Sequence, residues 1–436
     1  MRLNGFHKNL LLTMSGVACA AVCVSSCSTK SGAPTGVTTG VAQQTPPGAS
    51  ADKKNGTPEK LPGTTEIKFE KPQYVRGIYL TAWSAGSPKK MEKVFEMLKK
   101  TELNSVVIDV RDTGEMYWKT GIPLAAEAKA NDIAIVDGKK VMQSLAANKV
   151  YPIARIACFR DNFVPKVYPQ RAVQLTGGGV WKDRSGHSWL DPYNKKNWDY
   201  VAATVDYALD QGFPEIQLDY VRFPSEGKAG NQVFPSRSSY KDPKALPEDV
   251  IAEFCQYVRD RVKKRGAMFS ADIFGIISST KKDQGIGQEL EKVAGPFDVI
   301  SPMVYPSHFA HGEYGIPNPN LSPYMIVRKS LHDYVERVPN KPVRPWLQDF
   351  SLFHVKYGIP QIKAQIKAAQ ECGYKEYLMW NANNHYTEDA YKDNSKLLAD
   401  KSIGSGEKDP HPAKKEGKDT KPADAKAPAK PAATKK

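Results

Sequence analysis

The sequence predicts an α/β protein, a (β/α)8 TIM barrel with disordered N- and C-terminal extensions, on three observations. Eight short apolar runs recur between residues 66 and 395. Most are followed by polar residues and then by an amphipathic stretch with helical spacing, the pattern of βα units closing on a parallel sheet. That segment is somewhat longer than the roughly 250 residues typical of such a barrel, so it reads as one domain. A doubly wound open sheet would want a glycine-rich phosphate turn after its first strand, and the first run has none.

The runs follow in order. Residues 75–82 (VRGIYLTA) precede a helix over 87–100 that carries Met91, Val94, Phe95 and Leu98 on one face. The second run, 105–110, leads into a long excursion through Trp118 and a helix near Val141. The third, 151–159 (YPIARIACF), opens a loop with Gly177, Gly178, Gly179, Trp181 and Trp189 before a helix beginning near Asn197. The remaining five are 215–221 (EIQLDYV), 268–274 (MFSADIF), 299–305, 345–350 and 376–381 (EYLMWN).

The two ends of the chain have other compositions. Arg2, His7 and Lys8 precede an apolar run over 10–24, the order of a secretory signal and shorter than the roughly 20 residues of a membrane span. The run ends in Val24, Ser25, Ser26 and Cys27, which resembles a bacterial lipobox, so residues 1–27 are expected to be a lipoprotein signal ending at a lipidated Cys27. Acyl chains contribute about 0.8 kcal/mol per buried methylene, enough to hold the protein on a membrane without a spanning helix. Ser28 fits an outer-membrane location if the host is Gram-negative. An ordinary signal peptide cut elsewhere is the alternative.

Residues 28–65 hold too little apolar surface to offset the entropy of ordering them and are expected to be a disordered tether. Residues 396–436, rich in Lys, Pro and Ala, are expected to be a disordered tail. The formal net charge of +15 belongs partly to these ends, so no nucleic-acid partner is expected from it. A lysine-rich tail that touches anionic polymers and one that merely solubilises remain open. Of six cysteines, Cys158, Cys255 and Cys372 remain after the signal region. They form neither a disulfide framework nor a zinc-type CxxC pair, and no cofactor is called for.

Barrel chemistry sits at the C-terminal strand ends, and carboxylates dominate there. The second run ends in Asp109, Arg111 and Asp112, the fourth in Asp219, Tyr220 and Arg222, the fifth in Asp272, and the seventh in Gln348 and Asp349. Trp83, Tyr117, Trp118, Phe223, Tyr305, Trp346, Trp380 and Tyr386 accompany them. Acids among aromatic rings suit a sugar: rings stack on the apolar faces of pyranoses, and two carboxyl groups flank the bond to be broken. Arg222 would keep a nucleophilic carboxylate ionised, and a dry wall would raise its partner's pKa. Trp83, Asp109, Arg111, Arg222, Tyr305, Gln348, Trp380 and Asn381 are the substrate-binding candidates.

The strings LDYVRFP (218–224), SADIFG (270–275), SPMVYPSHF (301–309) and RGIYLTAW (76–83) carry a resemblance. Together they resemble the family termed "putative glycoside hydrolase domain", found in many bacterial exported proteins and distantly related to the alpha-amylase clan of barrels. The resemblance implies Asp219 as nucleophile, Asp272 as acid/base and Asp349 as a substrate-orienting carboxylate. The clan has Glu where this chain has the shorter Asp272.

The expected function is a retaining glycoside hydrolase acting on an extracellular or cell-envelope polysaccharide. One alternative is an inactive carbohydrate-binding or envelope-organising lipoprotein, in which the strand-end acids only pair with Arg111, Arg155, Arg160 or Arg222. Another is a metal-dependent deacetylase using His308, His311 and Glu313, but their Gly- and Pro-rich loop would not fix ligand geometry, and no metal is expected. Trp181, Trp189 and Trp198 fit either a sugar platform or loop packing. Asp298, at the start of its strand, is expected to be structural.

Overall fold

Each apolar run becomes a parallel strand, and the strands close on themselves. In the computed structural model, which describes residues 67–225 and 230–407, they are β1 Arg76–Leu80, β2 Ser105–Asp112, β3 Tyr151–Ala157, β4 Glu215–Asp219, β5 Met268–Phe274, β6 Val299–Met303, β7 Trp346–Gln348 and β8 Tyr377–Trp380. Neighbours in this order pair in parallel, and β1 pairs with both β2 and β8. Closure leaves the barrel no free edge.

Among the described residues the helices that pack between successive strands include α1 Pro88–Lys100, α2 Gly138–Ala147, α3 Lys195–Asp210, α4 Pro247–Lys264, α5 Leu290–Ala294, α6 Pro323–Arg337 and α7 Ile359–Glu371. Their starts are written locally. Pro occupies the first turn of α1, α4, α6 and α7, where its missing N–H has no helical partner to lose. Asp137 caps α2 by accepting from Lys140 N at 2.9 Å, and Asn194 caps α3 from Lys196 N at 3.0 Å. Helix α4 places Glu248 and Asp249 in its first turn and Arg261, Lys263 and Lys264 in its last, matching its dipole. The apolar faces of these helices pack on the outside of the strands; Phe254, Val258 and Val262 of α4 are fully buried there.

The excursion after β2 is a hairpin. Strand Glu115–Trp118 folds back antiparallel on β2 and pairs in parallel with Asn131–Ile135. Its turn puts Thr113 and Gly114 at φ 48° and 94°, and a side chain on Gly114 would collide with the Asp161 carboxyl. Trp118 is buried and donates its indole N–H to the Asp109 carbonyl at 2.9 Å.

At the N-terminal end of the barrel Glu215 and Arg344 form a fully buried ion pair, with Ser270 Oγ donating to Glu215 Oε1 at 2.6 Å. Asp298 is structural, as expected: it accepts Phe269 N at 2.9 Å and Lys263 Nζ at 2.7 Å. Cys158 and Cys255 are buried and Cys372 is half-buried, none in a disulfide.

The barrel extends past residue 395. Leu397 is buried, Lys367 donates to the carbonyls of Asp400 and Ile403, and Glu407 accepts the Tyr324 and Met325 amides at the start of α6, at 3.2 and 2.8 Å. Residues 396–407, assigned to the tail from their composition, therefore pack on the domain through a carboxylate at a helix start. The signal region, Cys27, the tether and the rest of the tail lie outside the described residues. Among the described residues no helix is long and apolar enough to cross a membrane.

The Glu215–Arg344 pair predicts a specific stability effect. Arg344→Met, which leaves Glu215 buried without its countercharge, should destabilise the barrel by about 3–5 kcal/mol in urea unfolding, and Glu215→Leu added to it should recover most of the loss. A single-variant loss no larger than about 1 kcal/mol, the level of an exposed pair, would contradict this account.

Candidate active site

Alternation along the strands decides which side chains enter the barrel, because residues two apart share a face. On β3 that places Arg155 above Ile153, on β4 Asp219 above Gln217, on β5 Asp272 above Ser270, and on β2 Asp109 above Val107. The parallel register sets Asp109 beside Arg155 and Arg155 beside Gln217. Arg155 also lies over the rings of Tyr79 on β1 and Trp380 on β8, 5.7 and 5.4 Å from their centroids, so it spans the interior.

Four aspartates surround this one buried guanidinium. Asp219 Oδ2 accepts from Arg155 Nε at 2.9 Å and Nη2 at 2.6 Å, while Asp219 Oδ1 accepts the amide of Tyr220 at 2.6 Å. Asp109 Oδ1 accepts from Arg155 Nη1 at 2.5 Å, and its Oδ2 accepts the Tyr79 hydroxyl at 2.5 Å. Asp112 stands at the rim, 3.5 Å from Nη2 and partly exposed. Asp272 Oδ2 is 4.0 Å from Nε, and its Oδ1 accepts the Trp346 indole N–H at 2.6 Å.

One cation does not balance four acids, and burial decides which carboxyls keep protons. Desolvation, followed by the negative charge of Asp219, raises Asp272 well above the usual carboxylate range against the weaker pull of Arg155 and Trp346. Asp109 is pushed up to about 6, chiefly by burial. Asp219 accepts two bonds from the guanidinium, from Nε and Nη2. The site thus holds an acid biased toward its protonated form and an Arg-paired carboxyl group on adjacent strands.

Aromatic rings wall the pair. Tyr79 stacks on Trp380 with centroids 4.1 Å apart, Trp346 meets Trp380 edge-on at 5.5 Å, and Tyr305 is buried where it senses Asp272 and Asp219 electrostatically. Trp83, on the short helix Ala82–Ala85 just beyond β1, is 54 % exposed at the same end. Tyr220 takes φ 47°, a left-handed turn immediately after Asp219, with its hydroxyl bonded by Arg160.

Several sequence candidates have other work. The guanidinium on Asp219 is that of Arg155, not Arg222; Arg222 lies over Trp189, Tyr220 and Phe274 and donates to Phe223 O and Ser225 Oγ at 3.2 Å each. Arg111 is fully buried, pairing with Asp161 and donating to the carbonyls of Ala157 and Cys158, which pins the loop after β3. Asp349 has both oxygens occupied by Thr387 N and Oγ1, each at 2.8 Å, and by the Tyr391 hydroxyl. It anchors the segment after β8, so the expectation that it orients substrate gives way to that role. Gln348 accepts Ser307 N and donates to Phe350 O, and Asn381 donates to the carbonyls of Asp349 and His385; both organise loops.

Trp181, Trp189 and Trp198 are buried, the first two in the loop after β3 and the third on α3, which makes them packing residues rather than a platform. His308 is half-buried beside Ser307 Oγ, with its pKa lowered to about 4 by desolvation, while His311 bonds Pro317 O. Among the described residues the grouping with metal-like spacing is instead His332, Asp333 and Glu336 on the outer helix α6. The residue that sequence reasoning missed at the centre is Tyr79; Arg155 was named only as one of four arginines with which the strand-end acids could pair, not as the centre of the site. The signal for Arg155 was an arginine inside the run YPIARIACF, a position that must face a countercharge.

An acid biased toward its protonated form beside an Arg-paired carboxyl group, under aromatic walls at the C-terminal mouth of a (β/α)8 barrel, is the equipment of a glycoside hydrolase. Residues 77–386 match the family described as "Putative glycosyl hydrolase domain", and the chain belongs to that family. The chain shares its fold with the glycoside hydrolase domain of PgaB (BpsB) from Bordetella bronchiseptica: TM-score 0.56, 11% identity, over 73% of this chain and 97% of that one. A hypothetical protein from Ruminiclostridium thermocellum ATCC 27405 is 33% identical over 46% of this chain and 99% of its own, with TM-score 0.41. The glycoside hydrolase domain of PelA from Pseudomonas aeruginosa aligns at 10% identity and TM-score 0.43, over 72% and 97%. No curated protein sequence matches the chain.

The raised Asp272 carboxyl has a measurable consequence. The folded state holds this proton to higher pH than the unfolded chain does, so the folded state binds more protons between the two pKa values, and stability falls as pH rises through that window. Asp272→Asn, of equal size and always neutral, should melt higher than the parent at pH 7. The two should melt together below the unfolded value of about 3.9. A variant that melts lower at pH 7 would show that the carboxyl is not strained there.

Proposed function

We propose that this protein is a retaining glycoside hydrolase acting on an extracellular or cell-envelope polysaccharide, with Asp219 as nucleophile and Asp272 as acid/base. The observation that carries this reading is the division of labour around Arg155: Asp219 takes the guanidinium, and the carboxyl of Asp272 is left to hold a proton.

In the first step Asp219 attacks the anomeric carbon while Asp272 protonates the departing glycosidic oxygen. Asp272 Oδ1 is engaged by Trp346, so the proton rides on Oδ2. The glycosyl ester neutralises Asp219, which removes the neighbouring negative charge that raises Asp272. The acid then becomes a competent base, takes a proton from water, and the hydroxide equivalent releases the sugar. Both carboxyls approach a single nitrogen, Arg155 Nε, at 2.9 and 4.0 Å, which supports a close pair of the retaining kind, whose separation is about 5–5.5 Å. Asp272 is shorter than the glutamate of the alpha-amylase clan, and the Trp346 bond compensates by fixing its direction.

The lipobox-like Val24–Cys27 sequence supports export and anchoring through a lipidated Cys27, which would hold the barrel at a membrane surface and bring it to envelope polymers.

Reducing-sugar release from α- and β-linked polysaccharides and from peptidoglycan tests this directly. Asp219→Asn and Asp272→Asn should each lower kcat by roughly 10²- to 10⁴-fold. Asp272→Asn should be milder on aryl glycosides, whose leaving groups need no proton. In the parent, kcat/KM should fall as pH rises through the Asp272 pKa. Undiminished turnover in both variants would reject the assignment.

A further inference from the structure

The turn after β7 holds an exposed aromatic in a conformation that side chains avoid. Leu352 and Val355 exchange backbone hydrogen bonds, 3.3 Å from Leu352 N to Val355 O and 3.0 Å in return. Between them Phe353 and His354 both have positive φ, 51° and 63°. A two-residue hairpin loop with left-handed residues at both central positions is a type I′ turn, whose usual occupants are Asn and Gly because a Cβ is crowded there. The phenyl ring gains no burial in exchange: Phe353 is 59 % exposed. Strain and wetted apolar area therefore fall on one residue, and packing accounts for neither.

Its place in the fold connects it with the acid pair. The turn follows the C-terminal end of β7, the strand whose Trp346 holds Asp272. Phe350, three residues before Phe353, packs edge-on at 5.8 Å against Tyr305, the ring that senses Asp272 and Asp219 electrostatically. An exposed ring on the same loop offers a flat apolar face to water, which is what the apolar face of a pyranose covers.

We propose that Phe353 is an outer sugar-binding platform, held open by the strained turn, that stacks on a pyranose ring of a chain long enough to reach from the acid pair to the rim. This deepens the glycoside hydrolase reading and rests on it for the nature of the ligand.

Affinity electrophoresis of the full chain in gels containing soluble starch, xylan, chitosan or solubilised peptidoglycan tests the platform. An Asp219→Asn background keeps the polymer intact. At least one polymer should retard the protein. Phe353→Gly should weaken that binding about tenfold, and Phe353→Trp should preserve it. Phe353→Gly should also melt higher than its parent, because glycine accepts the left-handed turn. In the otherwise unaltered chain, turnover of short p-nitrophenyl glycosides should be unchanged by Phe353→Gly. Equal retardation of Phe353→Gly and its parent, or no retardation by any polymer, would overturn the proposal. Its failure and that of the hydrolase reading are separable. Hydrolysis with unchanged retardation in Phe353→Gly removes the platform alone, whereas Phe353-dependent retardation without hydrolysis keeps the platform and removes the hydrolase.

Discussion

Arg155 is a cation inside a barrel, and the upper half of the interior is arranged around that fact. A guanidinium does not give up its proton, so its burial must be met by carboxylates. Strand β2 supplies Asp109 and, at its rim end, Asp112, while β4 and β5 supply one each. The supply exceeds the demand. Burial, and then the neighbouring Asp219, raise Asp272, which makes the longest of these contacts to the guanidinium, at 4.0 Å. The unequal environments of the acids thus follow from burial and an imbalance of charge, under the rings of Tyr79, Trp380 and Trp346.

The opposite end of the same barrel shows the contrast. Glu215 and Arg344 form a direct, fully buried pair, with Ser270 taking up a further bond and the partly exposed Glu376 3.9 Å from the guanidinium. Matched charges hold strands together and leave no group poised to move a proton. The two layers lie four residues apart on β4, from Glu215 to Asp219, and separate the stability end of the barrel from its chemical end.

Much of the framework was legible in the sequence because strand signals are local. All eight apolar runs became strands, with ends within two residues of the runs, and the residues after them were rightly placed at one mouth. The details of that mouth were less legible, since they depend on which neighbour a side chain reaches. Arg222 lies three residues from Asp219 in sequence, yet the left-handed turn at Tyr220 and the packing of Arg222 on Trp189 and Phe274 leave the contact to Arg155, 64 residues away. Asp349 looks like a free strand-end acid until the segment over 387–391 folds back to bond both its oxygens. The tail boundary failed for a related reason: residues 396–407 are polar in composition, but Glu407 has a helix start to bond and Leu397 a place to be buried.

Asp219 as the proposed nucleophile, with Asp272 as proton donor, requires a covalent glycosyl ester on Asp219. It can be trapped by incubating the protein with a panel of 2-fluoro- and 5-fluoro-glycosyl fluorides, whose fluorine slows ester hydrolysis, and mapping the added mass by peptide mass spectrometry. One glycosyl unit is expected on the peptide that contains Asp219, absent in Asp219→Asn. A label on Asp272 or Asp109, or hydrolysis of the natural polymer with inversion and no trapped ester, would contradict it.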